Sequence, residues 1–263
     1  MNRIPNSNGL SPDSISFLTW NILCEGISPL ASGWDKRRQS FERIFQEERF
    51  DVICFQEVLP RQLDFFRALF PRHDFYGLGR DDGNSGGEHC PIYFDRERLE
   101  LKDRGTFWLS PTPEVPSTGW GEAFPRLCSW VELGDSLTGH TFRVSNLHLQ
   151  LRPYAQMRAA DLLADRFRQV DLPQLVAGDF NCPAHWPGVK RVLASGLARV
   201  SDCNRATFHL RGLPLRKLDH ILASSEWGVE ETRLLNQRGG RFFPSDHFGL
   251  SARLQLANTL FPI

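Results

Sequence analysis

The chain has no excess of charge of either sign, no long apolar run and no paired cysteine motif. Its 263 residues carry 31 Lys and Arg against 31 Asp and Glu, so the formal net charge at pH 7 is zero. A neutral composition provides no general electrostatic attraction to nucleic acid or to an anionic membrane. Any recognition of phosphate is therefore expected to be local.

No apolar run approaches the length of about 20 residues that a membrane-spanning helix needs. The first 16 residues are polar and include two prolines, so we do not expect them to act as a signal peptide. Six cysteines are scattered along the chain without a CxxC pair, which favours reduced, buried thiols. We therefore expect a cytoplasmic protein without a membrane span, and a monomer.

What the chain does have is six short apolar runs that each end on a polar residue able to bind a metal ion or a phosphate. They lie at 17–21, 52–57, 142–148, 175–181, 218–222 and 243–247. Short apolar runs bounded by turn-forming residues are typical of buried strands. If the ends of these strands meet at one edge of a sheet, their polar side chains form a site. The six strands predict one domain over residues 14–257, after a flexible segment at 1–13.

Three segments repeat apolar residues at the spacing of a helix. They are 35–48, the stretch that Pro60 opens and Pro71 closes, and 154–170. Residues 73–130 consist instead of short strand-like pieces separated by Gly, Pro, Asp and Ser. Two sections with helices therefore flank a meandering section of strands.

The candidate site residues are carboxylates, amides and imidazoles, without a set of cysteine ligands. Such donors suit a hard cation such as Mg²⁺, for which Mn²⁺ can substitute, acting on a phosphate. Glu57 follows a buried apolar run and is the leading predicted metal ligand, together with Asn21. Two other interpretations stay open: Glu57 caps the helix that starts at Pro60, and Asn21 is an ordinary turn residue.

Asp179 and Asn181 end the fourth apolar segment. In an extended chain their side chains point to the same side, because side chains alternate with a period of two. Asp179 can then take a proton from a water molecule while Asn181 holds that water or a phosphate oxygen. Taken alone, such a segment is a turn more often than a site. Its position after a buried run, as in the five other segments, favours the site.

The last two segments contain Asp219, Asp246 and His247. An imidazole that stays cationic to hold a phosphate needs a carboxylate behind it, and we predict that Asp219 plays this part for His247. Asp246 then remains available to the metal. A buried structural ion pair is the alternative. His148 ends the third segment and is the second imidazole predicted to contact the phosphate, although an isolated His there is more often structural.

Six motifs follow one another in order along the chain. They are Trp20-Asn21, Gln56-Glu57, Asn146-Leu147-His148, Gly178-Asp179-Phe180-Asn181, Leu218-Asp219 and Ser245-Asp246-His247. The series, which covers residues 15–256, resembles the endonuclease/exonuclease/phosphatase superfamily, whose members include deoxyribonuclease I. The resemblance implies a deoxyribonuclease I-like, four-layered α/β sandwich: two packed, mixed and mostly antiparallel sheets flanked by helices. Residues 14–257 would form its single catalytic domain.

The resemblance also implies a role for each motif residue. Metal binding would fall to Glu57, Asn21 and Asp246. Activation of the attacking water and stabilisation of the phosphate would fall to the catalytic residues Asp179, Asn181, His148, His247 and Asp219.

A narrower resemblance is to uncharacterised bacterial members that have an Arg-Asp-Asp-Gly stretch and a Trp-containing insert, here at 80–83 and 104–130. We predict that Arg80, Arg126 and Trp120 form a wall of the site and bind the substrate. Two alternatives stay open: Arg126 pairs with a neighbouring acid, and the tryptophans of the insert fill core space.

Two other classes of protein compete with this prediction. Residues 83–87 match the G-x-S-x-G pattern of a serine hydrolase, with Ser85 as nucleophile. That motif needs a strand directly before the serine and a helix directly after it, whereas the flanking residues predict a glycine-rich loop between two strands. A non-catalytic phosphate-binding module would be expected to lack some of the acidic, amide and imidazole residues named above, and none is missing.

We therefore predict a Mg²⁺-dependent hydrolase that cleaves a phosphodiester or a phosphomonoester by direct attack of activated water. A neutral chain with dispersed basic residues favours a small phosphorylated molecule or the ends of single-stranded nucleic acid over the interior of a duplex.

Overall fold

The computed structural model describes residues 11, 13–26, 33–200 and 205–257. The segment 1–13, predicted to be flexible, lies almost entirely outside the described residues, as does Cys203. The division of the chain at residue 13 stays a prediction.

The described part of the chain contains two six-stranded sheets and a small hairpin. The first sheet has the order β13 (Trp227–Leu235), β14 (Gly249–Leu256), β1 (Ile15–Asn21), β2 (Val52–Gln56), β4 (Ile92–Asp95) and β3 (His73–Tyr76). The second has the order β5 (Leu99–Trp108), β6 (Leu127–Asp135), β7 (Thr141–His148), β8 (Gln174–Asp179), β12 (Asp219–Ala223) and β9 (Ala198–Arg199). The hairpin pairs β10 (Phe208–Leu210) with β11 (Leu213–Arg216).

Four helices lie among these strands in the described residues: α1 (Trp34–Glu47), α2 (Pro60–Leu69), α3 (Pro153–Arg168) and α4 (Pro187–Leu193). The first three confirm the helices predicted from apolar spacing. Helices α2, α3 and α4 begin at proline, whose fixed φ and missing N–H suit the first turn. The seven-residue α4 has no predicted counterpart.

Side chains alternate across both sheets and create three apolar layers. Along β1, Phe17 lies in the layer between the sheets, and Leu18 lies in the layer beneath α1 and α2. A third layer joins the second sheet to α3 and α4. Burying each large apolar side chain stabilises the fold by about 1.5–3 kcal/mol, so a strand buried on both faces has little freedom to slip. The order of helix, sheet, sheet and helix confirms the predicted four-layered sandwich.

A buried polar link joins the two sheets. Gln56 Nε2 on β2 donates to Asn146 Oδ1 on β7 at 2.7 Å. Asn146 Nδ2 donates in turn to the backbone oxygens of Phe55 at 2.7 Å and Pro91 at 2.9 Å. Leaving a buried amide unpaired costs about 1–3 kcal/mol, so this pairing favours one alignment of the sheets. That alignment brings the ends of β2 and β7 together.

The segment 243–247, predicted as a strand, is a loop. Pro244 has no N–H to donate to a strand ladder, which explains why the prediction is wrong. Ser245 Oγ donates to the backbone oxygen of Asn21 at 2.6 Å, and the backbone N–H of His247 donates to Ser245 Oγ at 3.1 Å. The loop is thereby tied to the end of β1.

Candidate active site

The polar residues at the strand ends gather at one end of the sandwich. Strands β1 and β2 run parallel, and so do β7 and β8, so each pair ends at the same edge. Strand β12 runs antiparallel to β8, which places its first residue, Asp219, opposite Asp179. Asn21 Nδ2 donates across the two sheets to Asp179 Oδ2 at 3.0 Å. The convergence predicted from the sequence is therefore present.

Asn21 bridges two carboxylates with the donor side of its amide. Its Nδ2 donates to Glu57 Oε1 at 3.0 Å as well as to Asp179, while its oxygen accepts from the Leu23 N–H at 3.0 Å. Glu57 Oε2 accepts from the Cys24 N–H at 3.1 Å. Asn21 thus positions the carboxylates in this structure, and Glu57 offers oxygens that suit a cation. Metal binding by Asn21 stays a prediction.

Asp246 is the second carboxylate on the Glu57 side of the site. Burial raises the pKa of Asp246 above its usual range; the charge of His247 opposes this rise, and the Glu57 carboxylate adds to it. Two partly buried acidic groups that repel each other fit a divalent cation, which takes one or two protein carboxylates. The residues that fit Mg²⁺ or Mn²⁺ are therefore Glu57 and Asp246.

A second group of possible metal ligands consists of Asp179, Asp219 and His247, whose ligand atoms lie within 4.8 Å of one another. In this group His247 Nδ1 is already hydrogen bonded to Asp219 Oδ2 at 2.7 Å. A cation placed there would compete with the imidazolium for the same carboxylates. We therefore interpret these three residues as an acid–base cluster.

Carboxylates on two sides keep His247 cationic. Burial alone would lower its pKa, but Asp219 and Asp179 outweigh burial and raise the pKa of His247 to about 10. Burial and the Asp219 charge raise the pKa of Asp179 to about 7, which suits a general base at neutral pH. His247 Nε2 lies 3.8 Å from Asp179 Oδ2. The placement of Asp219 behind His247, predicted from the sequence, is present.

His148 lies on the other side of the same carboxylate. Its Nε2 is 3.6 Å from Asp179 Oδ2, and its Nδ1 is 2.7 Å from Arg126 Nη1. Burial and the charge of Arg126 hold the pKa of His148 well below its usual range, so this ring is neutral. Two buried imidazoles of different charge therefore flank Asp179.

Asn181 does not extend β8 as predicted, because the strand ends at Asp179 and the chain turns. The backbone of Asn181 is left-handed, with φ of 52°, and costs about 1–3 kcal/mol unless its surroundings hold it. Its N–H donates to Asp179 Oδ1 at 2.8 Å, and its Nδ2 donates to the Leu149 oxygen at 2.8 Å. The turn, rather than an extended strand, brings Asn181 back to Asp179.

The two arginines predicted to bind the substrate are paired with a carboxylate. Glu88 lies 2.5 Å from Arg80 and 3.4 Å from Arg126, and the side chains of all three are only 11–12% exposed. For Arg126, the alternative of a neighbouring acid is therefore correct. The Arg80 guanidinium also lies 5.1 Å from the ring of Phe124, which is 60% exposed.

The tryptophans of the insert pack mainly inward. Trp108 is buried and donates its Nε1–H to the Arg80 oxygen at 2.7 Å. Trp120 and Trp130 are partly buried and pack against the core beneath α3. This packing fits the alternative in which these residues fill core space, substrate binding by Trp120 stays a prediction, and Phe124 is an exposed aromatic ring of the region.

Arg37 is a buried arginine that holds two loops of the site together, and it was not predicted from the sequence. Its guanidinium donates to the backbone oxygens of Ile22 at 2.7 Å, Leu23 at 2.8 Å and Pro244 at 2.9 Å. Burial lowers its pKa to about 10. Arg37 thus fixes the loop after β1 to the loop that carries Asp246. A signal was available, since Arg37 occupies the apolar face of α1.

Ser85 has none of the surroundings of a catalytic serine. It is exposed in a loop where Asp82 Oδ1 accepts from the N–H groups of Asn84 and Gly86, both at 2.8 Å. Within the described residues 33–200, no helix begins between α2 and α3. The serine hydrolase alternative is therefore contradicted, because its motif needs a strand before the serine and a helix after it.

The four-layered sandwich, with carboxylates and imidazoles at one end, defines the deoxyribonuclease I-like class of proteins. The chain belongs to the endonuclease/exonuclease/phosphatase family, whose sequence pattern matches residues 18–247. This family comprises metal-dependent phosphoesterases, including nucleases and phosphatases.

Solved structures of bacterial proteins have the same fold. The crystal structure of an endonuclease/exonuclease/phosphatase family protein from Bacteroides thetaiotaomicron aligns with a TM-score of 0.85 at 28% identity, covering 93% of this chain and 98% of that one. A mannosyl-6-phosphatase of the same species aligns with a TM-score of 0.83 at 28% identity, covering 92% of this chain and 99% of the other.

The chain matches only part of the length of its curated relatives. The CCR4-Not complex 3'-5'-exoribonuclease subunit Ccr4 of Emericella nidulans is 26% identical over 172 residues, which are 54% of this chain and 25% of that protein. The chain spans at most 59% of the length of the curated relatives that it matches. Among the described helices, none has the length and apolar character needed to cross a membrane.

Proposed function

We propose that this protein is a phosphoesterase that depends on a divalent metal, Mg²⁺ or in its place Mn²⁺, and cleaves its substrate by direct attack of water. The observation that carries the proposal is Asp179 Oδ2, which has imidazole nitrogens of His148 and His247 at 3.6 and 3.8 Å. A carboxyl group with a pKa of about 7 can accept a proton from water at neutral pH.

Each side chain has a defined part in this reaction. Asp179 accepts the proton of the attacking water, and Asn181 keeps that carboxylate oriented through its backbone N–H. The cationic His247 stabilises negative charge that develops on the phosphoryl oxygens, and the neutral His148 donates a hydrogen bond to them. Glu57 and Asp246 would hold the divalent cation, which would supply Lewis acidity to the phosphoryl group and the leaving oxygen. No side chain forms a covalent bond with the substrate.

The proposed substrate is a small phosphorylated molecule or the end of a single-stranded nucleic acid. One relative at 28% identity is a mannosyl-6-phosphatase, and another at 26% identity is a 3'-5'-exoribonuclease subunit. The zero net charge argues against binding along a duplex. Trp120 stays a predicted substrate-binding residue, and the exposed ring of Phe124, next to Arg80, offers a second flat surface to a base or sugar ring.

A hydrolysis panel tests this proposal. The substrates are sugar phosphates, single-stranded DNA, RNA, duplex DNA and phospholipid head groups, each with Mg²⁺, Mn²⁺ or a chelator. We expect turnover of sugar phosphates or single-stranded ends, loss of turnover in chelator, and full activity of Ser85→Ala as the matched control. Full activity in chelator, or inactivity of Ser85→Ala, would overturn the proposal.

We also propose a monomer in the cytoplasm. The five described cysteines are all buried and unpaired, as thiols are in a reducing compartment. Light scattering at micromolar concentration should give the mass of one chain, and a dimer mass would contradict the monomer.

A further inference from the structure

We propose that Arg126 fixes the tautomer of His148 and keeps this imidazole a neutral hydrogen-bond donor. Arg126 is then a positioning residue of the active site and not a ligand of the substrate. The proposal rests on the hydrolytic function proposed for the same site. It starts from the hydrogen bond between Arg126 Nη1 and His148 Nδ1, which is 2.7 Å long.

Chemistry fixes the direction of this hydrogen bond. A guanidinium has only donors and does not lose its proton in proteins. His148 Nδ1 must therefore accept, and it carries no proton. The single proton of the neutral ring is then on Nε2. Nε2 is the nitrogen that faces the reaction centre, 3.6 Å from Asp179 Oδ2.

The charges around Arg126 hold it in this position. Glu88 pairs with both Arg80 and Arg126, so Arg126 is held between a carboxylate and the ring of His148. The other charged groups that act on His148 are Arg80, the cationic His247 and the Asp179 carboxylate. Three cationic groups thus oppose a second proton on His148, and the Asp179 carboxylate favours one.

His247 has the opposite arrangement. Its Nδ1 donates to the carboxylate of Asp219 at 2.7 Å, whereas Nδ1 of His148 accepts from a guanidinium. One ring therefore brings a positive charge to Asp179, and the other brings a neutral donor. Two cationic rings would stabilise the ionised form of Asp179 and make it a poor proton acceptor. A neutral His148 preserves the basicity of Asp179 while it still donates to the phosphate.

Nitrogen-15 NMR of the histidine-labelled wild-type protein tests the tautomer directly. His148 should have an unprotonated Nδ1 and a protonated Nε2, unchanged between about pH 5.5 and about pH 8. The spectrum of His148→Gln assigns the signals. A proton on Nδ1, or a second protonation in this range, would overturn the proposal. The measurement needs no turnover, so its failure is distinct from failure of the proposed hydrolytic function.

Two substitutions separate positioning from substrate binding. Arg126→Met removes the donor, so kcat should fall about 10- to 100-fold with KM nearly unchanged, and the His148 signals should become those of mixed tautomers. Arg126→Lys keeps a cationic donor and should restore the tautomer and part of kcat.

Arg143→Met is the matched control, because Arg143 pairs with Glu132 on the same sheet and stacks on Trp130. It should leave both the kinetics and the His148 signals unchanged. A higher KM in Arg126→Met with an unchanged tautomer would show that Arg126 binds the substrate instead. If Arg126→Met does not fold, the wild-type spectrum alone decides.

Discussion

Replacing Asp219 by Asn removes one negative charge from beside His247 while retaining the shape of the side chain. In the wild type, His247 Nδ1 donates to Asp219 Oδ2 at 2.7 Å. Burial opposes the charged ring, but Asp219 and Asp179 raise the pKa of His247 to about 10. Burial and Asp219 raise the pKa of Asp179 to about 7. Since the reaction needs ionised Asp179 and protonated His247, we expect a rate maximum between these two pKa values.

The size of the effect follows from the lost charge. A unit charge at about 4 Å in an effective dielectric of about 20 contributes about 4 kcal/mol, and one pKa unit is worth about 1.4 kcal/mol. This is about 3 pKa units, so we expect the pKa of His247 to fall by about 2–3 units, while Asp179 and Asp246 continue to favour the charged ring. The pKa of Asp179 also falls, because a like charge has been removed. Both limbs of the pH profile should therefore move to lower pH.

The assay is the pH dependence of kcat at saturating Mg²⁺ for the wild type and Asp219→Asn. Asp165→Asn, which changes an exposed carboxylate on α3, is the control and should reproduce the wild-type profile. An active Asp219→Asn variant whose alkaline limb stays at the wild-type pH would refute the reasoning and make the pair purely structural.

Further substitutions test the structural role of Arg37 and the proposed substrate contact of Phe124. Arg37→Met should lower the free energy of unfolding in urea by about 2–4 kcal/mol, because several buried carbonyl oxygens lose their donor. Replacing the exposed Arg38 by Met is the control and should change the free energy of unfolding little. Equal stabilities of the two variants would show that Arg37 does not hold the two loops together. Phe124→Ala should raise KM for a single-stranded oligonucleotide about 5- to 100-fold, because a base loses its stacking partner, and should leave KM for a sugar phosphate unchanged. An unchanged KM for the oligonucleotide would show that Phe124 does not bind the substrate. Turnover should fall only weakly with salt, and steep inhibition together with efficient plasmid nicking would instead indicate duplex binding.

Much of the site was predictable from the sequence because buried strands have a simple signature. The run that precedes Glu57 and the run that ends at Asp179 are mostly apolar, and both strands are buried on both faces. A polar residue directly after such a run leaves the core at a sheet edge. The same reasoning placed His148, and helical spacing placed α1 to α3. Asp219 instead begins β12, and the antiparallel pairing with β8 brings it to the same edge.

Pairing across long chain separations was not predictable. Arg126 is 38 residues from Glu88 and 22 from His148. No local sequence pattern indicates whether its guanidinium contacts solvent, the substrate or these two residues. Asn146 likewise looked like a motif residue, yet its contacts link the two sheets. The prediction of a strand at 243–247 is wrong for a local reason. Pro244 has no N–H to donate to a neighbouring strand, and this could be seen in the sequence.

Mg²⁺ binding by calorimetry, measured together with turnover for two variants, tests most directly whether metal binding and proton transfer belong to different carboxylates. We predict that Asp179→Asn binds Mg²⁺ like the wild type but loses turnover by about 10²–10⁴, the range of a general base. Glu57→Gln should lose Mg²⁺ affinity and at least about 10² in turnover. Retained turnover in Asp179→Asn would contradict the proposed base. Loss of Mg²⁺ binding in Asp179→Asn with normal binding in Glu57→Gln would place the metal at Asp179, Asp219 and His247 instead.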